Sequence, residues 1–460
     1  MSQSAESSRR PIDARQSRRQ LLTNAAVGAA ALGVAGTSAL KANAAPAVLS
    51  RSQDATTVTL WTSFTGDLEL NAIRAIADGF NESQSEIAVE VVQVPSQSET
   101  DVTKLMTAVR GGVGPDVYLF NRPFASQRAA DGVLQDLTPF LDGEDISGEY
   151  LDFAFAECQF QDQLFALPFD TDARALYYRR DILEEVGIDP AELDPANGPV
   201  TIDRIREMSE QIDQRDANGA YTRMGFVPWF AQGWHYTWGF NFGGSFYSPE
   251  ECAITATDEG VVAGFTYLYE EAGRLGPAET QTFMSSVNRP DAPPAQNPFM
   301  TGAVAFMVSG DWEIASIAQY APDIDYGITY IPVPNEGDEP SSWSAGFSLV
   351  MPQGAKEPEA AFRFMRYMAG EPGQRIYTRE TQHFPTIAAL LDEADLYDER
   401  HMFFNDVLQY STSLPTVPVG ALLWDELTSA QERVTLHEAT PEEALNEVQS
   451  RVQSQMDRYC

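Results

Sequence analysis

From Thr57 onward the chain moves between two hydrophobic rhythms. The run TVTLWTS, residues 57–63, is β-branched and aromatic and is bounded by Gly66, which predicts a strand. Leu70, Ile73, Ala77 and Phe80 then recur at helical spacing and predict one apolar helix face. A second strand is expected at residues 87–94. Ser98 and Asp101 announce a helix carrying Val102, Leu105, Met106 and Val109, and a third strand follows at 116–120. Such alternation of strand and helix predicts an α/β protein with a mostly parallel sheet covered by helices.

Beyond residue 164 the pattern changes. ARALYYRR reads as a strand, and RRDILEEVGID as a short helix closed by Gly187. A helix is expected at 201–214, aromatic-rich loops at 229–247, an exposed Pro-rich loop at 289–298, and strands at 303–312, 326–334 and 343–352. Ala360, Phe364 and Met368 mark a later helix. Thr440, Pro441 and Glu443 supply the cap, first turn and capping-box acid of the last one, ahead of Leu445, Val448, Val452 and Met456.

Ahead of this pattern, residues 17–45 read SRRQLLTNAAVGAAALGVAGTSALKANAA. Twin arginines, a mildly apolar run and small residues before Ala44 and Ala45 form a leader expected to be cleaved near Ala44. The pair Arg18-Arg19 followed by Gln20, Leu21 and Leu22 resembles the signal of the twin-arginine export route. No cysteine stands at its end for lipid attachment, so the mature protein is expected to be soluble.

The 460-residue chain is longer than one core usually serves, which predicts two domains or lobes. A formal charge of −37, from 30 Lys and Arg against 67 Asp and Glu, argues against nucleic acid, which needs a basic stripe. Three cysteines at wide spacing fix no framework; a Cys158–Cys252 bridge is one option and isolated core thiols the other. His235, His383, His401 and His437 lack the spacing of metal ligands, so neither metal nor cofactor is expected.

Taken in order, TLWTSFTG, GGVGPDVYLF, GVLQDLTPFL, ALPFDTDARALYYRRDIL, GAVAFMVSGDWEIASIA, YGITYIPVP and WSAGFSLVMPQGAKEPEAAFRFMRYMAGEPGQ resemble the extracellular solute-binding proteins of ABC importers, sugar-binding type. The resemblance implies a two-lobe periplasmic-binding-protein fold with interleaved lobes and a ligand cleft between them. It implies a leader at 1–45, a linker at 46–55, lobe I at 56–170 with 305–343, and lobe II at 171–304 with 344–460. Crossings between lobes are expected near 169–173, 304–308 and 343–347. It further implies a non-enzymatic, monomeric receptor, periplasmic or extracellular, that hands a carbohydrate to a membrane permease.

A sugar presents an apolar C–H face and a rim of hydroxyls, so its site needs flat aromatics beside fixed donors and acceptors. Trp61, Trp229, Trp234, Trp312 and Trp343 are the candidate platforms, Trp61 because it ends a strand and Trp343 because Gly346 follows at a crossing. Ser63 and Asn121 occupy strand edges; Arg122 reads equally well as a surface charge. Asp170 and Asp172 share one face of an extended segment, one to meet substrate and the other to hold Arg174. Asp311 is expected to bind hydroxyls directly or to cap the helix that it begins. Two rivals remain: a receptor for a polyamine or other cation, from the acidity, and a glycosidase using the aspartate pair.

Overall fold

The computed structural model describes residues 55–96, 100–289, 292–391 and 393–460. The leader, Ser98 and most of the 46–55 linker lie outside them. Ten strands build two sheets: β1 (Thr56–Thr62), β2 (Ile87–Gln93), β3 (Val117–Asn121), β4 (Ala166–Pro168), β5 (Arg174–Arg179), β6 (Gln214–Arg215), β7 (Tyr221–Ala231), β8 (Val304–Gly310), β9 (Tyr326–Thr329) and β10 (Phe347–Val350).

The first sheet has the order β2-β1-β3-β10-β4. Its first three strands are parallel, as their helical crossovers demand, whereas β10 pairs antiparallel with both β3 and β4. The second sheet has the order β9-β5-β8-β7-β6, with β7 and β8 parallel and the other pairs antiparallel. Both sheets are therefore mixed, and the mostly parallel expectation holds only for residues 56–121.

The principal helices are α1 (Asp67–Ser83), α2 (Ile202–Ile212), α3 (His235–Asn241), α4 (Glu259–Leu275), α5 (Pro277–Val287), α6 (Trp312–Tyr320), α7 (Pro358–Met368), α8 (Glu371–Thr381), α9 (Gly420–Thr435) and α10 (Pro441–Met456). The apolar face of α1 buries Leu70, Ile73, Ala77 and Phe80, as its spacing predicts, and Phe80 meets Phe364 of α7 edge to face at 5.3 Å. α8 also packs against α1, whereas α9 and α10 pack against α4. The start of α10 is a complete capping box, with Thr440 and Glu443 exchanging bonds with each other's backbone N–H.

The strands contradict part of the expected lobe assignment. β8 and β9, from the 305–343 segment, pair with β5 in the second sheet, while β10, beyond 344, joins the first. Residues 304–308 are the fully buried middle of the second sheet and not a crossing. The crossings at 169–173, between β4 and β5, and at 343–347, leading into β10, do carry the chain from one sheet to the other. Hydrophobic runs identify a buried strand but not its neighbour, and that is where the assignment failed.

Two local expectations are also corrected. The 229–247 segment holds the end of β7 and helix α3, which starts after Trp234 without a side-chain cap and so lacks the usual start signal. The disulfide joins Cys252 to Cys460, with Cα atoms 6.1 Å apart, and fastens the chain end beyond α10 to the hairpin formed by Tyr247–Ser248 and Ala253–Ile254. Cys158 stays a free, buried thiol.

Candidate functional site

The crossings meet at Arg122, which directly follows β3 and is fully buried. Its Nε donates to Glu157 at 2.5 Å, one terminal nitrogen to the carbonyl of Asp170, and the other to the carbonyl of Ala345 at 2.6 Å. One planar group, its donors set in a fixed fork, thereby holds both crossings and its own counter-charge. Arg122 is a structural tie and not a surface charge. Beside it, Gly346 has φ +134°, and a Cβ there would collide with the Asp170 carbonyl and the Arg122 guanidinium, so only glycine fits.

Asp170 and Asp172 both turn toward the segment that leads into β10. Asp170 Oδ1 accepts the Phe347 N–H at 2.5 Å; Asp172 Oδ1 accepts the Ala345 N–H at 2.8 Å and pairs with Arg174. The Arg174 guanidinium lies 3.5 Å from the Trp343 ring centroid and 5.3 Å from that of Trp312. Burial pushes the Asp170 carboxyl up to about 7, against the pull of the Phe347 N–H, with the Asp172 charge adding to the rise.

Above these residues lies a cavity of ≈ 260 Å³. Among the candidates, Asn121, Asp170, Asp172, Trp234, Trp312, Trp343 and Gly346 line it. The sequence did not point to Phe64, Glu69, Gln232, His383 and Trp424, which line it as well. The Trp234 and Trp424 rings stand 5.5 Å apart, while Phe64 and Phe347 meet at 4.5 Å. Trp343 is only 2 % exposed, with one face under Arg174 and its indole N–H given to Thr237 at 2.8 Å. It is a wall of the cavity. The part-exposed rings of Trp234 and Trp312 are the better placed for a sugar face, and the Glu69, Asn121 and Gln232 side chains offer polar groups for hydroxyls.

Asp311 stands one layer behind. It is fully buried, does not line the cavity, and neither carboxylate oxygen has a hydrogen-bond partner among the described residues. It makes no cap bond to α6. Burial, then the charge of Asp172, pushes its carboxyl well above the usual range. Its neighbour is His383, with Nδ1 3.7 Å away. Burial brings that imidazole down to about 4, and the neutral ring stacks on Trp312 at 5.8 Å. Among the described residues no group of His, Cys, Asp and Glu is arranged to hold a metal ion.

Three candidates lie elsewhere. Trp61 borders a gap of ≈ 10 Å³ beside Val94 and Tyr118, because it sits within β1 and not beyond its carboxyl end; Phe64, three residues on, makes that reach. Ser63 lines a recess of ≈ 400 Å³ that shares Phe64, Glu69, Asn121 and Phe347 with the cavity. Trp229 borders a cleft of ≈ 310 Å³, on which Trp234 also opens.

A family model described as bacterial extracellular solute-binding protein matches residues 75–403. The galactooligosaccharide-binding protein of Bacillus subtilis (strain 168) is 23% identical over 404 residues, covering 84% of this chain and 87% of its own. The maltotriose-binding protein of Pyrococcus abyssi is 19% identical over 377 residues, covering 80% and 75%. Among solved structures, CpMnBP1 with mannobiose bound superposes with a TM-score of 0.77 at 21% identity, covering 86% of this chain and 99% of that one. Maltose-bound T. maritima MalE3 gives 0.65 at 20%, covering 86% and 99%. These likenesses place the chain in the periplasmic-binding-protein fold.

Proposed function

The chain belongs to the bacterial extracellular solute-binding proteins, a family of non-enzymatic receptors, and from that premise we propose that it captures an oligosaccharide and delivers it to the permease of an ABC importer. The observation that carries this reading is the cavity over the crossings, where Trp234, Trp312 and Trp424 stand around fixed polar groups. The relatives named for galactooligosaccharide, maltotriose and mannobiose support it.

Binding closes the two halves about the crossings at 169–173 and 343–347. Sheet pairing and helix packing support a division into 56–168 with 347–381 on one side and 174–329 with 420–456 on the other. The twin-arginine leader exports the folded chain as a monomer, and the Cys252–Cys460 bridge suits an oxidising compartment outside the cytoplasm.

Neither rival fits the site as well. Hydrolysis needs two available carboxyls, yet Asp170 and Asp172 are engaged by the Phe347 and Ala345 N–H groups. A cation receptor needs uncompensated negative charge at its ligand, but Asp311 lies behind the cavity and Arg174 compensates Asp172.

A thermal-shift screen of residues 46–460 against neutral oligosaccharides, polyamines and metal ions tests the reading. A saccharide at a hundredfold excess over its dissociation constant stabilises by ~2.7 kcal/mol and is recovered intact. Stabilisation by polyamines alone, or a cleaved saccharide, overturns it.

A further inference from the structure

Trp229 borders a cleft that the receptor reading does not use. The cleft, ≈ 310 Å³ against ≈ 260 Å³ for the main cavity, is walled by α5 and α9, and the two spaces share Trp234. From α5 come Thr280, Gln281 and Met284, and from α9 Thr428, Gln431 and Thr435, each set spaced along one helix face.

Two buried groups inside it lack partners. Thr280, 1 % exposed, has no bond at Oγ1 among the described residues, and Gln431, 6 % exposed, has none at Oε1. Gln431 is held in place by its own amide, which donates to the Gly233 carbonyl at 3.2 Å. A buried hydroxyl and a buried amide oxygen without partners call for a ligand or water that brings hydroxyl groups. Beside them stand the part-exposed indoles of Trp229 and Trp234. Among the described residues Glu432 is the sole charged side chain lining the cleft, and no cation lines it to attract an anion. Flat aromatic faces beside neutral donors and acceptors match a sugar ring.

We infer that the saccharide site continues past Trp234 into this cleft, which takes the distal units of a neutral oligosaccharide whose other end lies in the main cavity. The inference rests on the proposed function and adds chain length as the property that the protein selects. Trp229 then stacks on a distal unit, Thr280 and Gln431 bond its hydroxyls, and Trp234 lies under the junction.

Calorimetric titration of the mature protein with maltooligosaccharides and mannooligosaccharides of two and five units tests it. Of the series that binds, the five-unit chain is expected to bind roughly tenfold tighter than the two-unit chain. Trp229→Ala removes most of that gain and leaves two-unit affinity unchanged. Thr280→Val, near in shape to the native side chain, reduces long-chain affinity about fivefold and carries the test if Trp229→Ala does not fold. Equal affinity for both lengths, or loss at both lengths in these variants, overturns the cleft and leaves the receptor reading standing. Failure of every saccharide to bind overturns both.

Discussion

Asp170→Asn is expected to stabilise the ligand-free protein, and to do so only at the alkaline end. The carboxyl is 2 % exposed and titrates near 7, against 3.8 for the group in water. Between these values the folded state keeps a proton that the unfolded chain has released, so this group's contribution to stability falls as pH rises from about 4 to 7 and is level beyond. A rise of about 3 units corresponds to about 4 kcal/mol at pH 8, the cost of holding the charge in its buried site. Asparagine preserves the bond from the Phe347 N–H through its own Oδ1 and carries no charge. The variant should therefore match the wild type at pH 4 and exceed it by up to ~4 kcal/mol at pH 8. Glu313, also raised by burial to about 7, and His383 and His235, lowered by burial, titrate in both proteins and cancel in the difference. Urea denaturation of both proteins at whole pH steps from 4 to 8 measures it. A difference that does not change with pH, or a variant less stable at pH 8, refutes the reasoning.

Further tests follow from other parts of the molecule. Arg122→Met leaves Glu157 buried without its partner and two crossing carbonyls without donors, at a cost of ~3–5 kcal/mol in denaturation, of which the Arg122→Met/Glu157→Met double variant recovers a large share. Cys460→Ser opens a loop with a sequence separation of 208 and lowers stability by up to ~5 kcal/mol on the chain-entropy argument, read by denaturation without reductant. Trp424→Ala removes an aromatic wall of the main cavity and should weaken saccharide binding by about thirtyfold or more in titration calorimetry, for short and long chains alike.

Local order was more legible in the sequence than long-range partnership. The first three strands, the face of α1 and the capping box of α10 follow from periodicity and cap chemistry, which act over a few residues. β8 is buried along its whole length, and a uniformly hydrophobic run does not reveal the neighbour it pairs with, here β5. The site divides in the same way. Asp170, Asp172 and Gly346 are found by local spacing beside a crossing, whereas Trp424 and His383 come from distant helical and loop segments with no pattern to mark them. Arg122, just past a strand, reads equally well as a surface charge because its burial depends on two carbonyls 48 and 223 residues away. Asp311, expected to bind hydroxyls or to cap its helix, is buried behind the cavity lining, since a residue's place beside a cleft tells nothing of its depth.

Capture of an oligosaccharide is measured by calorimetric titration of the mature protein with neutral oligosaccharides, followed by mass analysis of the recovered ligand. Saturable one-to-one binding of an intact saccharide is expected, abolished or much weakened by Trp424→Ala. Binding that Trp424→Ala leaves untouched, cleavage of the ligand, or heat released only with polyamines would contradict it.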